Sequence, residues 1–206
     1  MATFRDQKRE RTRTALVEAA TKLFLRDGYD QTRIADIASA ADVGLRTFFS
    51  YFASKDELLF SDAATRVDTA IAAIDSRDPD EPPSAVLIRA LDLAGVTGTD
   101  LFDERAALRL RLIREVPAVS GRAQLVLREA QTAIARQLQK SYPDQLDELS
   151  AAAMVGAFTG AVSAALQVMF EDPAWEKTTV DDRRSRIKAA TATALRPWLA
   201  SAGGAS

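Results

Sequence analysis

Apolar residues along the chain recur mostly at intervals of three and four, the spacing of a helix that buries one side. The first such pattern runs from Arg5 to Arg26, and Gly28 follows it as a left-handed helix end. Its apolar side consists of Leu16, Ala19, Ala20, Leu23 and Phe24. No alternating strand pattern of useful length occurs, so the sequence predicts an all-α protein that begins with a long helix.

Two short helices are predicted next, one from Arg33 to Ala40 with Thr32 as its cap and one from Leu45 to Tyr51. On the second helix, Leu45, Phe48 and Phe52 are predicted to anchor one side, Arg46, Thr47, Ser50 and Tyr51 lie on the other, and Phe49 is at the margin. This is a helix-turn-helix arrangement, whose second helix enters the DNA major groove. A solvated surface with no DNA partner remains the alternative at this point.

The rest of the chain is predicted to be helical in several segments. Ser54 and Glu57 have the spacing of a capping box and predict a fourth helix through Ile74. The acidic, proline-rich segment 75–83 follows as a loop and the main domain boundary. Later helices are predicted at 84–94, 100–116, 120–140, 144–171 and 181–195, with breaks at Pro117 and Gly121, for about nine helices in all. The predicted division is 1–54 for the helix-turn-helix domain, 55–74 for a connecting helix, 75–200 for a larger helical domain and 201–206 for a disordered tail.

Composition narrows the possible functions. The 206 residues include no cysteine and no histidine, which excludes disulfides, thiolate or imidazole metal ligands and Cys–His nucleophile pairs. We expect no metal site, no cofactor and no enzymatic activity. The start of the sequence lacks a secretory pattern, so a cytoplasmic location is expected.

Two segments have unusual charge. Five basic and two acidic residues lie between Met1 and Arg13, so this end is basic although the net charge of the chain is −2. Residues 151–170 carry no charge and are long enough to cross a membrane. Because they are mostly alanine, glycine and other weakly apolar residues, the sequence predicts a closely packed, buried helix and no membrane partner.

Residues 28–60 resemble the DNA-binding domain of the TetR family of bacterial transcriptional regulators. The ordered matches are Gly28, Tyr29, Thr32, Asp36, Ile37, Ala38, Ala41, Val43, Thr47, Phe48, Tyr51, Phe52, Lys55, Glu57 and Leu58. The resemblance covers about the first third of the chain. It implies that the larger helical domain binds a ligand and forms a dimer.

The resemblance and the helix-turn-helix pattern together predict DNA contacts from ten residues. They are Thr32, Arg33, Gly44, Leu45, Arg46, Thr47, Phe49, Ser50, Tyr51 and Lys55. Arg46 has the chemistry to take guanine O6 and N7, and Arg33 and Lys55 have the charge to take phosphates. The turn departs from the family pattern at Asp42, where glycine is common, and Asp tolerates a left-handed backbone. Gly44 replaces a serine cap, and Phe49 replaces a tyrosine that commonly touches phosphate.

The resemblance also implies a palindromic double-stranded DNA operator, a homodimer and a small-molecule effector. The last two helices are expected to form the dimer through 151–165 and through Ile187, Ala190, Ala194, Leu195 and Trp198, with an intramolecular core as the alternative. An apolar or amphipathic effector is expected, with its site among Phe102, Arg105, Arg109, Leu112, Met154 and Phe158. Leu108 and Met169 are further candidates, and ordinary core packing is the alternative for each.

Two other functions are compatible with the sequence. A DNA-binding regulator without an effector would act constitutively or through a protein partner. An all-helical enzyme would use carboxylates such as Asp100, Asp103 and Glu104 with an oxygen-bound metal. Because these acids stand at a predicted helix N-terminus, where negative charge is favourable anyway, capping explains them better.

Overall fold

The structure is a computed structural model that describes residues 4–93 and 104–200. Within these ranges it contains ten α-helices and no strand, as the hydrophobic pattern predicts. The helices are α1 (Phe4–Asp27), α2 (Ile34–Ala40), α3 (Leu45–Phe49), α4 (Ala63–Asp75), α5 (Pro83–Leu91), α6 (Glu104–Glu115), α7 (Pro117–Ser141), α8 (Glu148–Glu171), α9 (Val180–Ala194) and α10 (Arg196–Ala200). Two 3-10 helices lie at Asp56–Phe60 and Trp175–Lys177.

The chain forms two compact units. One consists of Met1–Ser61 with Leu108–Gln124, and the other consists of Asp62–Ala107 with Leu125–Ser206. The sequence predicts boundaries at residues 54 and 74, so each predicted domain is one continuous stretch of the chain. The compact units are not contiguous, because the end of α6 and the start of α7 belong to the first unit.

The first unit has one apolar core, built from α1, α2, α3, the first 3-10 helix and the 108–124 segment. The predicted inward side of α1 is confirmed, since its five residues are all buried. Leu16, Ile37 and Phe48 are fully buried, and Leu112 and Val119 reach the same core from α6 and α7. This core fixes the short helices α2 and α3, which are too short to be stable alone.

The second unit packs α4 on α5 and α8 along α9. Residues at 0% exposure come from five of its helices and include Ile74, Leu87, Leu138, Val155 and Ile187. A polar contact joins α7 to α8, where the Gln131 amide nitrogen donates a hydrogen bond to Thr159 Oγ1 at 2.7 Å.

Several predicted helix ends are wrong. The fourth helix does not begin at the Ser54 box. Glu57 Oε2 instead accepts a hydrogen bond from Ala53 N at 2.7 Å, a 3-10 helix follows, and α4 starts only at Ala63. Pro117 begins α7, and Gly121 lies inside it. Proline lacks only a donor that the first helical turn leaves unpaired, so it starts a helix as readily as it ends one.

The prediction that 151–170 is a buried helix is also wrong for the single chain. α8 is the one described helix that is long and apolar enough to cross a membrane, yet only 28% of its most apolar stretch is buried. Met154, Val155 and Phe158 face inward, while Leu149 is 79% and Val168 is 67% exposed. The small residues of this segment therefore lie largely on the outside of the unit.

The dimer residues predicted on the last helices divide into two groups. Ile187 and Leu195 are fully buried in the second unit, so the intramolecular alternative is correct for them. Ala190 and Ala194 are exposed, and Trp198 is half-buried. Periodicity identified the apolar side of α9, and that side packs within the chain.

Candidate nucleic-acid interface

The turn between α2 and α3 has the geometry of a helix-turn-helix. Asp42 adopts a left-handed backbone with φ 55°, as the sequence predicts for this position. Val43 N then donates a hydrogen bond to Ala38 O at 2.9 Å, which closes the turn onto α2. Asp is one of the few residues besides glycine that adopts this conformation at low cost, so the departure from glycine preserves the turn.

α3 is anchored through its inward side. Phe48 is fully buried, and its ring centroid lies 6.1 Å from that of Phe52, which is 4% exposed. Gly44 is the N-cap of α3, and its carbonyl accepts a hydrogen bond from Phe48 N at 3.0 Å. The anchor predicted for Phe48 and Phe52 is confirmed, so the opposite side of α3 faces away from the core.

The outward side of α3 combines one cation with polar and large apolar side chains. Leu45 is 49% and Phe49 is 54% exposed, so the anchoring role predicted for Leu45 is wrong. Arg46 and Ser50 are exposed, whereas Thr47 and Tyr51 are half-buried. Ser50 Oγ donates a hydrogen bond to Thr47 O at 2.6 Å, and its lone pairs stay available to a ligand.

The residues before α2 differ in their accessibility. Thr32 is 3% exposed, and its hydroxyl donates to Gly28 O at 2.7 Å, so it holds the preceding turn together. The N-cap of α2 is Arg33, not Thr32 as predicted, and Arg33 N donates to Asp36 Oδ2 at 3.1 Å. Arg33 presents an exposed side chain, whereas the hydroxyl of Thr32 is used internally.

Lys55 is turned toward the same segment. Its Nζ donates to Tyr29 O at 2.6 Å and to Thr32 O at 3.2 Å, and it lies 4.1 Å from the centroid of the Tyr29 ring. Burial lowers the pKa of the Lys55 ammonium, although Asp30 and Asp56 oppose the change. Burial also raises the pKa of Tyr29 to about 12. In this structure Lys55 ties the end of α1 to the start of α2.

Two cations that the site prediction omitted lie beside α3. The guanidinium carbon of Arg9 is 5.9 Å from the centroid of the Tyr51 ring, and that of Arg13 is 5.6 Å from the centroid of the Phe52 ring. The basic composition of the N-terminal segment was the available signal. Composition does not say which side of a helix faces the neighbouring one, so the contact itself needed the structure.

The predicted effector residues are divided between the two compact units. Arg109 and Leu112 belong to the first unit, where Arg109 is 7% exposed and donates to Leu59 O at 3.3 Å. Arg105, Met154 and Phe158 belong to the second unit, and Arg105 lies 4.0 Å from the carboxylate of Asp62. Phe102 lies outside the described residues. Among the described residues, no three Asp or Glu side chains come together as a metal site.

Comparisons with known proteins agree with this geometry. Residues 16–61 match the family described as "Bacterial regulatory proteins, tetR family". The regulator TcmR of Streptomyces glaucescens, described as an HTH-type transcriptional regulator, is 34% identical over 119 residues, which are 57% of this chain and 53% of TcmR. The chain thus spans about half the length of this relative.

Solved structures extend the likeness to the whole fold. The TetR-family repressor FadR of Thermus thermophilus, crystallised with lauroyl-CoA, has a TM-score of 0.58 at 20% identity. The matched region covers 91% of this chain and 93% of the FadR chain. RolR, crystallised with resorcinol, has a TM-score of 0.53 at 22% identity, and the matched region covers 95% of this chain and 93% of the RolR chain. Fold and site define a helix-turn-helix protein of the DNA-binding class. Residues 16–61 match the TetR family of bacterial regulatory proteins, so this segment of the chain is a TetR-type DNA-binding segment.

Proposed function

We propose that this protein is a cytoplasmic transcriptional repressor that binds a palindromic operator as a homodimer and leaves it when a small effector binds. The observation that carries the proposal is the outward side of α3, which is held by the buried Phe48 and exposes Arg46 together with two large apolar side chains. A short helix fixed in this way inserts into the major groove as a rigid body.

The exposed side chains match the chemistry of base edges. Arg46 supplies a bidentate donor for guanine O6 and N7, and Ser50 bonds a base or a phosphate. Leu45 and Phe49 lie one turn apart and offer apolar surface to thymine methyl groups. Arg33 has an exposed cation for a phosphate. Thr32 and Lys55 make internal hydrogen bonds, so we assign them to positioning the segment before α2.

The outward sides of α8 and α9 support the homodimer. On α8 the exposed residues recur at helical spacing, and a side-chain carbon added at Gly156 or Gly160 would meet nothing within 4 Å in the chain. Ala190 and Ala194 are exposed on the neighbouring α9. A side of small residues lets a second copy approach closely about a two-fold axis. We therefore propose a protein partner for this apolar side in place of lipid.

The effector is proposed to be apolar or amphipathic. Two structural neighbours were crystallised with lauroyl-CoA and with resorcinol, respectively, an acyl thioester and a small aromatic. In this chain Met154 and Phe158 supply buried apolar surface on α8 within the second unit. A regulator without an effector is the alternative. Thermal unfolding with a panel of fatty acids, acyl thioesters, aromatics and drug-like cations separates the two, because a bound effector raises the melting temperature.

The DNA-binding proposal is tested by fluorescence anisotropy. The protein is titrated against a palindromic fragment from upstream of its own gene and against a scrambled duplex at fixed moderate salt. We expect at least a tenfold preference for the native fragment, with Arg46→Ala lowering that affinity by about 1–3 kcal/mol. Arg136→Ala, an exposed arginine on α7, is the control. Equal weak binding to both duplexes would contradict the proposal for this operator.

A further inference from the structure

One side of α1 changes from apolar to basic along its length. In the middle of the helix this side faces the core of the first unit and is buried. Followed toward the N-terminus at about 3.6 residues per turn, the same side becomes arginine. The buried members are Leu16, Ala20 and Leu23, and the arginines are Arg5, Arg9 and Arg13. We call these three arginines the basic stripe. It begins where α1 extends beyond the apolar core.

Side-chain contacts place the basic stripe beside the end of α3. Arg13 donates a hydrogen bond to Ser61 O and lies over the Phe52 ring, so it is held inside the first unit. Arg9 lies over Tyr51, which comes two residues after the last residue of α3, with 5.9 Å between the guanidinium carbon and the ring centroid. The contact keeps the charge of Arg9 at the edge of the recognition helix. Arg5 follows one helical turn further out.

The outer part of the basic stripe carries charge that no salt bridge within the described residues neutralises. Arg5 and Arg9 are exposed, and neither has a salt bridge to any carboxylate in residues 4–93 and 104–200. Glu10 lies on another side of the helix, whereas Asp6 is one turn from Arg9 and forms no salt bridge with Arg5 or Arg9. Two neighbouring cations repel each other, and a bound polyanion removes that repulsion.

We infer that Arg5 and Arg9 bind phosphates of the DNA backbone next to the major-groove segment that α3 occupies. This inference rests on the proposed function and extends its DNA surface to α1. The stacking of Arg9 on Tyr51 holds the guanidinium in place before DNA arrives, which lowers the entropy lost on binding. Phosphate contacts carry no sequence information, so the basic stripe contributes affinity and salt dependence, and α3 contributes specificity.

The experiment compares two double variants that change the net charge equally. Arg5→Gln with Arg9→Gln removes the outer basic stripe. Arg11→Gln with Lys22→Gln removes two exposed cations from the opposite side of the same helix. Glutamine keeps helix propensity close to that of arginine and lysine. Because phosphate contacts do not depend on sequence, the probe is a mixed-sequence duplex of about 30 base pairs, titrated at salt concentrations between about 50 and 200 mM.

The slope of log affinity against log salt concentration is the main measurement. Each lost phosphate contact lowers its magnitude by about 0.9, so the Arg5/Arg9 variant is expected to lose about 2 per bound protomer. At a salt concentration of about 100 mM its affinity is expected to fall at least tenfold, while the Arg11/Lys22 variant keeps the wild-type slope. Arg9→Lys retains the charge and is expected to retain the slope. Melting temperatures of all variants show whether any loss comes from unfolding.

The outcomes distinguish the inference from the function on which it rests. Equal slopes for the two double variants, with normal wild-type binding, overturn the role of the basic stripe and leave the helix-turn-helix proposal intact. A wild-type protein that binds neither this duplex nor its upstream fragment at the lowest salt overturns both. A salt slope that is reduced only in the Arg5/Arg9 variant, with that variant still folded, supports the inference.

Discussion

The helix-turn-helix of the first unit and α8 of the second unit use apolar residues differently. In α3 the inward residue Phe48 is fully buried, and the outward side carries the exposed Arg46. In α8 the inward Met154 is buried, but the outward side still carries exposed Leu149 and Val168, with alanine and glycine between them. The outward side of α3 therefore adds a charge to its exposed apolar residues Leu45 and Phe49, whereas residues 151–170 of α8 carry no charge.

The difference follows from what each outward side meets in the proposed function. DNA presents phosphates and base edges, so its partner helix needs charge and hydrogen-bonding groups. A second copy of the chain presents the same small apolar residues and is matched by close packing. Charge thus marks the outward side of α3, and residues 151–170 of α8 contain no such signal.

The first test of this comparison uses two adjacent phenylalanines. Phe48→Ala removes a fully buried ring and is expected to lower the free energy of unfolding by about 3–5 kcal/mol. Phe49→Ala removes a ring that is 54% exposed, so we expect a loss of less than about 1 kcal/mol. Urea unfolding followed by circular dichroism measures both. Similar losses for the two variants would mean that α3 is not anchored by one side.

The second test uses two exposed glycines, one in each unit. Neither Gly160 in α8 nor Gly121 in α7 has a neighbour within 4 Å of an added Cβ, so we expect the single chain to tolerate leucine at both. In the proposed dimer, Gly160→Leu occurs at two symmetric sites of close approach. It is expected to weaken association at least ~100-fold, or about 2.7 kcal/mol.

Gly121→Leu is the matched control and is expected to leave the dimer unchanged. Light scattering across a dilution series measures the oligomeric state, and melting temperature checks that the monomer remains folded. A Gly160→Leu protein that dimerises as tightly as the wild type would move the interface away from this part of α8.

The helix-turn-helix was predictable because its local chemistry is specific. Asp42 stands at the one position in the turn where a left-handed residue is required, and Gly28 ends α1 with φ 88°. Phe48 on the inward side of α3 and Arg46 on the outward side favour one orientation of the helix, although Leu45 and Phe49 are exposed near Arg46 in sequence. These are short-range signals, so the sequence contains them without knowledge of the rest of the fold.

The sequence does not reveal which surface packs against the apolar side of each helix. Arg109 and Leu112 are predicted effector residues that pack in the first unit, because α6 continues from one unit into the other. Periodicity identifies which side of a helix is buried and does not identify what covers it. For the same reason the sequence leaves a dimer interface and an intramolecular core open for Ile187 and Leu195, and the structure places both residues in a core.

The third prediction concerns Lys55, whose internal hydrogen bonds only the structure reveals. Lys55→Gln removes a charged donor from Tyr29 O and Thr32 O, so we expect a loss of about 1–2 kcal/mol in the free energy of unfolding. Lys22→Gln, on the exposed side of α1, is the control and should lose nothing measurable.

DNA binding makes the Lys55 test sharper. The family resemblance implies a phosphate contact, whereas the structure engages the ammonium inside the first unit. With the positioning role, Lys55→Gln lowers stability and keeps the salt slope of DNA affinity. A slope reduced by about 0.9 per protomer at unchanged stability would restore the phosphate contact.

The last and smallest effect tests a charged pair in the second unit. Arg89 Nε and Nη2 donate to the two carboxylate oxygens of Glu81, each at 2.8 Å, and Nη2 also donates to Ala73 O. Tyr142 OH donates to the backbone carbonyl of Glu81 at 2.7 Å, so this pair fastens the loop between α4 and α5. The hydrogen bonds from Arg89 hold the pKa of Glu81 below its ordinary value of 4.5.

A carboxyl whose pKa is lower in the folded than in the unfolded chain stabilises the fold above its unfolded pKa. That contribution is therefore complete above about pH 4.5 and is lost as the pH falls through the lower, folded value.

We expect Glu81→Gln to be less stable than the wild type at neutral pH and to approach the wild-type stability as the pH falls. The control is Glu129→Gln, an exposed position on α7, whose stability is expected to follow the wild-type pH dependence. Urea unfolding at several pH values measures this. The difference is expected to be small because Arg89 is partly exposed to solvent, and solvent screens such pairs. A Glu81→Gln curve parallel to the wild type at all pH values would mean that neutral hydrogen bonds, and not charge, fasten the loop.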